Sequence, residues 1–160
     1  MAKKVKDKYM QFLRSANATQ PSADTFGNVE MRTGCSVRAK LAMEIHEILL
    51  FWVPASLVNN SWVEIMLNTV EGDVIGGMTK PQSILLVEAM CRLNTGGGGW
   101  EIVAPFIYKF DPPLLIVNDS LWVGIKSNAT AVANTCYCRI GYTWKTITDA
   151  EYVEALELMR

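Results

Sequence analysis

Blocks of β-branched, aliphatic and aromatic residues recur along most of this chain, and turn-forming residues separate them. The pattern is clearest in the last third, where residues 114–117, 121–126 and 132–144 are rich in Val, Ile, Leu, Trp and Tyr. The breaks beside these blocks are Asp-Pro-Pro, Asn-Asp and Ser-Asn. This composition is typical of strands bounded by turns, so we predict an all-β body.

A short helix is predicted after the last strand, over residues 148–160. Thr148 and Glu151 have the capping-box spacing, in which each side chain accepts a hydrogen bond from the backbone N–H of the other residue. One apolar stripe follows, with its members three or four residues apart: Tyr152, Ala155, Leu156 and Met159. Because about 12 residues are marginal as an isolated helix, we expect the three large side chains of this stripe to pack against the body.

The segment 39–53 is the ambiguous one, since Leu41, Ile45, Ile48 and Trp52 also recur at helical intervals. Its β-branched and aromatic content, and the break directly after Val53, favour a strand. Further strands are predicted from Val29 onward and in three later blocks, residues 62–70, 83–93 and 100–110.

With the three C-terminal strands, these blocks make about eight. Eight strands of this spacing predict an antiparallel eight-stranded β-sandwich of the jelly-roll type. The pattern does not fix the strand order, and an immunoglobulin-type sandwich stays open, although its Cys–Trp–Cys spacing is absent.

Residues 1–28 are predicted to precede this body as a basic arm followed by a polar linker. The arm, residues 1–14, is expected to form a small amphipathic helix, and its net charge is +4, whereas the remaining residues carry −5. Its cations are Lys3, Lys4, Lys6, Lys8 and Arg14. We therefore expect any attraction to nucleic acid or to a membrane to come from this arm, with a merely solubilising terminus as the alternative.

The length of 160 residues suits one domain, which we place at residues 29–160 and which includes the C-terminal helix over 148–160. His46 is the one histidine, so paired-histidine metal sites are excluded. The cysteines lack metal-ligand spacing and are expected to be buried free thiols: Cys35, Cys91, Cys136 and Cys138.

No catalytic motif is recognised, so we expect no enzyme activity, no metal and no cofactor. The glycines at 96–99 precede a predicted strand rather than a helix, which favours a hairpin loop over a phosphate-binding loop. Alternation along the strand at 39–53 places Glu44, His46 and Ile48 on one face, and Ile45, Glu47 and Leu49 on the other. His46 is therefore a candidate for a contact between subunits.

Three stretches carry a resemblance to a known family: Leu121-Trp-Val-Gly-Ile-Lys, Cys138-Arg-Ile-Gly-Tyr-Thr-Trp and Thr148-Asp-Ala-Glu-Tyr. Residues 23–48, which lead into the first long strand, add to this resemblance. Together these stretches give a layout that resembles single jelly-roll capsid proteins of small tailless icosahedral viruses. The likeness covers most of residues 23–160. Its motifs are strand patterns rather than catalytic signatures.

The resemblance implies a structural virion protein that self-assembles as a homo-oligomer into an icosahedral shell inside the host cell. The arm would face the interior and contact packaged nucleic acid, lie on an internal membrane, or clasp a neighbouring subunit. A second capsid protein in the lattice is left open. The alternative function is a soluble β-sandwich module that binds a ligand or carbohydrate through Trp62, Trp100 or the glycine loop.

Overall fold

The protein is described by a computed structural model over residues 10–22, 25–53, 61–71, 83–94, 99–101, 106–127 and 134–158. This part of the chain forms ten strands and one helix. The elements are β1 (Gln11–Arg14), β2 (Ala18–Thr19), β3 (Phe26–Arg32), β4 (Leu41–Val53), β5 (Ser61–Asn68), β6 (Ser83–Asn94), β7 (Gly99–Glu101), β8 (Phe106–Ile116), β9 (Ser120–Ser127), β10 (Thr135–Thr146) and α1 (Asp149–Leu158).

The strands form two antiparallel sheets. The first sheet has the order β1-β10-β4-β8, and the two-residue strand β2 also pairs with β10. The second sheet has the order β3-β9-β5-β6-β7. The prediction of a mostly β protein with one short C-terminal helix is confirmed.

Four of the strand pairs are nested in the sequence. β5 pairs with β6, β4 with β8, β3 with β9, and β1 with β10, so each pair encloses the previous one. Successive pairs fall alternately into the second sheet and the first. The two sheets are therefore wound together rather than built from consecutive stretches of chain.

One apolar core lies between the sheets, because alternate residues of each strand point inward. Ile45, Ile48 and Ile140 of the first sheet, and Ile65 and Ile125 of the second, are fully buried in it. Burial of each such side chain contributes roughly 1.5–3 kcal/mol. The two sheets thus form a β-sandwich that shares a single core.

The strand predicted over residues 39–53 is confirmed by β4, but its predicted faces are wrong from Glu47 onward. β4 bulges at His46, because the consecutive residues Gly141 and Tyr142 of β10 pair with Glu47 and Ile45, which leaves His46 as the extra residue. A bulge adds one residue and shifts the side-chain alternation. Ile45 and Ile48 consequently both point into the core, and Glu44 and Ile48 lie on opposite faces.

The break predicted at residues 111–113 is also wrong, since β8 continues through Asp111, Pro112 and Pro113. Proline lacks a backbone N–H, so in a central strand, which is hydrogen-bonded on both sides, it would remove a bond of the ladder. β8 lies at an edge of the first sheet, where one side has no partner strand among the described residues. Two prolines inside the bulge opposite His46 are therefore tolerated.

The amphipathic helix predicted over residues 1–14 is wrong from Gln11 onward, because Gln11–Arg14 is strand β1. The predicted polar linker is part of the sandwich where it is described. Ser15, Ala18 and Gln20 are buried, and the Ser15 backbone N–H donates to the Cys138 carbonyl at 2.9 Å. β1 and β2 thus act as one interrupted edge strand along β10.

Candidate functional site

The cations predicted to contact nucleic acid or membrane fall into two groups. Lys3, Lys4, Lys6 and Lys8 lie outside the described residues. Arg14 ends β1, is exposed, and lies on the outer face of the first sheet, the face turned away from the second sheet. The structure therefore places Arg14 in the sandwich itself rather than in a separate arm.

A second arginine stands directly beside Arg14. Antiparallel pairing makes Arg14 of β1 the register partner of Arg139 of β10, and Arg139 in turn pairs with Leu49 of β4. Ile107 of β8 completes this row across the sheet. Side chains of directly paired residues point to the same face, so both guanidinium groups lie on the outer face.

Each arginine lies over an aromatic ring. The guanidinium carbon of Arg14 is 4.3 Å from the centre of the Tyr137 ring, and that of Arg139 is 4.7 Å from the Phe12 ring. Tyr137 in turn stacks on Phe51, with ring centres 4.6 Å apart and an angle of 12° between the planes. These five residues are called the arginine–aromatic face below.

The arginine–aromatic face is open and positively charged. Phe12 is 52% exposed and Ile107 is 54% exposed. Within the described part of the chain, the ion pairs involve neither Arg14 nor Arg139. Arg139 was absent from the sequence-based candidates because its pairing with Arg14 depends on strand order.

The helix α1 covers the other end of the same outer face. A small apolar cluster forms there from buried residues Ala42, Val117, Ile147 and Ala155, and Tyr152 and Leu156 pack against it. Met159, the third residue predicted to pack, lies outside the described residues. The first turn of α1 is also tied to the sheet, because Lys145 lies between the carboxylates of Glu44 and Glu151, at 3.6 and 3.7 Å.

The predicted capping box at the start of α1 is confirmed. The Thr148 backbone N–H donates to the Glu151 carboxylate at 2.8 Å, and the Glu151 N–H donates to the Thr148 hydroxyl at 3.2 Å. The first of these bonds, helped by the Thr148 hydroxyl and Lys145, lowers the pKa of Glu151. The helix therefore begins with an ionised carboxylate at its N-terminus, which the helix dipole favours.

Two cavities flank α1. One, of about 480 Å³, lies between α1 and the bulge of β8 and is lined mainly by apolar atoms, including Phe110, Pro112 and Leu114. The other, of about 520 Å³, lies beside Tyr152 and is also lined by Cys35, Ser36, Arg38 and Asn118. Both are open to solvent and are large enough to hold a small ligand.

The groups considered for catalysis or metal binding are satisfied within the fold. A hydrogen bond of 2.8 Å joins His46 Nε2 and the Thr143 hydroxyl. Cys35, Cys136 and Cys138 are buried free thiols, as predicted, whereas the Cys91 side chain lies outside the description. Burial raises the pKa of all three thiols, which keeps them protonated and unreactive.

The described residues contain no group of three or more His, Cys, Asp or Glu side chains suited to a metal ion. Within the same residues, the helix α1 is not long and apolar enough to cross a membrane.

A buried polar network at one end of the sandwich was not predicted. The Gln20 amide donates to the Ser127 carbonyl at 2.9 Å and accepts from the Ser127 hydroxyl at 2.7 Å. The Asn134 amide donates to that hydroxyl at 2.9 Å, and the Trp52 indole donates to the Asn134 side chain at 3.4 Å. The network fastens the segment after β2 to the ends of β4, β9 and β10, which is a structural role.

At the level of sequence, no family model matches the chain, and no curated protein matches it. Among solved structures, one that is similar is described as the structure of Tomato Aspermy Virus by X-ray crystallography. It shares 9% identity with this chain, covers 94% of this chain and 85% of the other, and has a TM-score of 0.43.

Proposed function

We propose that this chain is a single jelly-roll capsid protein of a small tailless icosahedral virus. In this proposal, copies of the chain assemble into the closed shell of the virion within the host cell. The role is structural, so the chain acts without catalysis and needs no cofactor or small-molecule substrate.

The observation that carries the proposal is the nested strand pairing. A jelly roll is a long antiparallel hairpin wound into two four-stranded sheets, which pairs the first strand with the eighth, the second with the seventh, and so on inward. The pairs β1–β10, β3–β9, β4–β8 and β5–β6 fit this order and alternate between the sheets as it requires. The short strands β2 and β7 are additions at its edges.

The jelly roll also occurs in lectin domains and cupins, so fold alone does not assign a role. The sequence resemblance to capsid proteins over residues 23–160 favours the shell. Exposed apolar side chains at several separate places are compatible with a shell subunit, which must contact neighbours on more than one side, but single exposed apolar residues are also normal on a monomer. They include Phe12 on β1, Val37 before β4, Ile107 on β8 and Val153 on α1.

The proposed partners follow from this role. Copies of the same chain form the lattice, and a second capsid protein is compatible with it. The arm lysines at positions 3, 4, 6 and 8 are proposed to face the interior, where they contact packaged nucleic acid, an internal membrane or a neighbouring subunit.

A soluble β-sandwich binding module is the second candidate. The open cavity between α1 and the β8 bulge favours it, since about 480 Å³ with a mainly apolar lining suits a small ligand. Trp62 is partly exposed on β5, while the Trp100 side chain and residues 96–98 of the glycine loop lie outside the description.

Size-exclusion chromatography with light scattering, followed by negative-stain imaging, tests the proposal. The full chain is examined over a range of protein concentration, pH and salt, with and without single-stranded nucleic acid. Closed particles of megadalton mass support a capsid protein. A small species under every condition, together with saturable binding of a sugar or apolar ligand, overturns the proposal in favour of the binding module.

A further inference from the structure

We propose that the arginine–aromatic face, formed by Phe12, Arg14, Phe51, Tyr137 and Arg139, binds the phosphodiester backbone of single-stranded nucleic acid. This site is separate from the arm lysines. It depends on the geometry of the folded sheet and does not require the chain to assemble into a shell.

The paired arginines bring two positive charges together. Arg14 and Arg139 are direct register partners, and like charges in that position repel and destabilise the strand pair. In the next outward-facing row along the strands, which begins at Phe12 and Gly141, Glu47 and Lys109 are partners of opposite charge. The two guanidinium groups form no ion pair within the described part of the chain. A bound anion between them would turn this repulsion into two favourable contacts.

Aromatic rings hold both guanidinium groups in place. Arg14 lies 4.3 Å from the Tyr137 ring, which is itself stacked on Phe51, and Arg139 lies 4.7 Å from the Phe12 ring. Stacking fixes the plane of a guanidinium and leaves its N–H groups free at the edge. That fork matches two oxygens of a phosphate group, so little further ordering is needed on binding.

An exposed aromatic ring beside the arginines favours single-stranded nucleic acid over other polyanions. Phe12 is 52% exposed beside the arginine pair, so part of its surface is available to an unpaired base. Cationic groups interleaved with aromatic rings are the features with which proteins bind single strands without sequence preference, whereas a duplex hides the faces of its bases. Two guanidinium groups are also fewer than the clusters of four to eight cations typical of anionic-membrane sites.

The test is fluorescence anisotropy of the full chain with a labelled single-stranded oligonucleotide of mixed sequence. We expect the double variant Arg14→Gln/Arg139→Gln to lose at least about tenfold in affinity. The fall of log affinity with log salt should become less steep, its slope decreasing in magnitude by about 1.4. The matched control is Arg32→Gln/Arg38→Gln, which removes two exposed cations elsewhere, one of them already paired with Glu30. The control should bind almost as well as the wild type.

Two further comparisons test the mode of binding. Arg14→Lys/Arg139→Lys keeps both charges but loses the planar forks, and Phe12→Leu keeps both arginines but loses a ring; both should weaken binding. To separate the arm, the double glutamine variant is repeated with Lys3, Lys4, Lys6 and Lys8 changed to Gln in the full chain. The loss caused by the arginines should persist there. Melting temperatures of all variants exclude unfolding as the cause.

Other outcomes overturn the proposal. If the arginine variant loses no more oligonucleotide affinity than the control, the face is not a nucleic-acid site. If it loses binding to vesicles of anionic phospholipid while oligonucleotide binding is unchanged, the partner is a lipid headgroup. If only the mass measured by light scattering changes, the partner is a second copy of the chain. Inorganic phosphate that competes at millimolar concentration as strongly as the oligonucleotide would indicate a site for a free anion instead.

Discussion

The ring of Phe26 covers Gly124 on the outer face of the second sheet, in the space that a Cβ at position 124 would occupy. The two residues lie on the paired strands β3 and β9, where Phe26 is the partner of Lys126 and Asn28 the partner of Gly124. Met66 of β5 lies 3.2 Å from the same Cβ position and is almost fully buried. The absence of a Cβ at Gly124 thus leaves room for the Phe26 ring against the sheet.

Replacement of Gly124 by Ala should therefore destabilise the protein. Because the ring of Phe26 would have to move, we expect a loss of about 1–3 kcal/mol in the free energy of unfolding, measured by urea denaturation. The matched control is Gly141→Ala, where the new Cβ meets the flexible side chain of Glu47 and the loss should be smaller. In a Phe26→Ala background the cost of Gly124→Ala should shrink; an unchanged cost would contradict this explanation.

The polar network around Gln20 predicts a second stability effect. The Gln20 side chain, which is 1% exposed, donates two hydrogen bonds and accepts one. Gln20→Leu removes all three, so the Ser127 hydroxyl and the Ser127 carbonyl each lose a partner. We expect a loss of about 1–3 kcal/mol in chemical denaturation. Thr19→Val, one residue away and exposed, should change stability by less than about 0.5 kcal/mol. Equal effects of the two variants would argue against the network.

The docking of α1 predicts a contrast between its two faces. Leu156 packs against the cluster of Ala42, Val117 and Ile147, whereas Val153 is 53% exposed. Leu156→Asp should lower the free energy of unfolding by about 1–3 kcal/mol, because it places a charge in an apolar contact. Val153→Asp makes a similar change on the exposed side and should be nearly neutral in the same thermal or urea melt. A similar loss in both would mean that helix formation, rather than docking, is being measured.

The capping carboxylate of Glu151 predicts a pH dependence. Because the hydrogen bond from the Thr148 backbone N–H lowers the pKa of Glu151 below its ordinary value of 4.5, its stabilising effect is fully present above that pH. The effect is lost as the pH falls through the lower pKa of the folded state. The deficit of Glu151→Gln relative to the wild type should thus be constant near neutral pH and shrink below 4.5.

A carboxyl NMR titration measures that pKa directly. Its midpoint for Glu151 should lie below 4.5, and Thr148→Ala should raise it toward that value, since the hydroxyl also donates to the carboxylate at 3.0 Å. A midpoint at or above 4.5 in the wild type would contradict the role given to the capping box.

Features encoded within a few residues were predicted well. The β-branched and aromatic content of Leu41–Val53 identified β4, and the spacing of Thr148 and Glu151 identified the start of α1. Both depend on local propensity and short-range hydrogen bonds, which a linear pattern records directly.

Features that depend on distant partners were not predicted. Gln11–Arg14 has an apolar spacing that also suits a helix, and it becomes a strand because β10 supplies its hydrogen bonds. The bulge at His46 is defined by the register of β4 against β10, and it reverses the predicted faces from Glu47 onward. Arg14 was named as a candidate contact, but its pairing with Arg139 required the strand order, which the sequence does not display.

The nested pairing also determines the order in which the strand pairs can form during translation. The β5–β6 hairpin can form once both strands have left the ribosome, but each further pair closes a longer loop, and β10 is the last of the described strands to emerge. The first sheet therefore lacks an interior strand until β10 has been synthesised. A chain that ends before β10 has neither a closed sandwich nor the juxtaposed Arg14 and Arg139. Synthesis of β10 is thus the step of translation that creates the arginine–aromatic face.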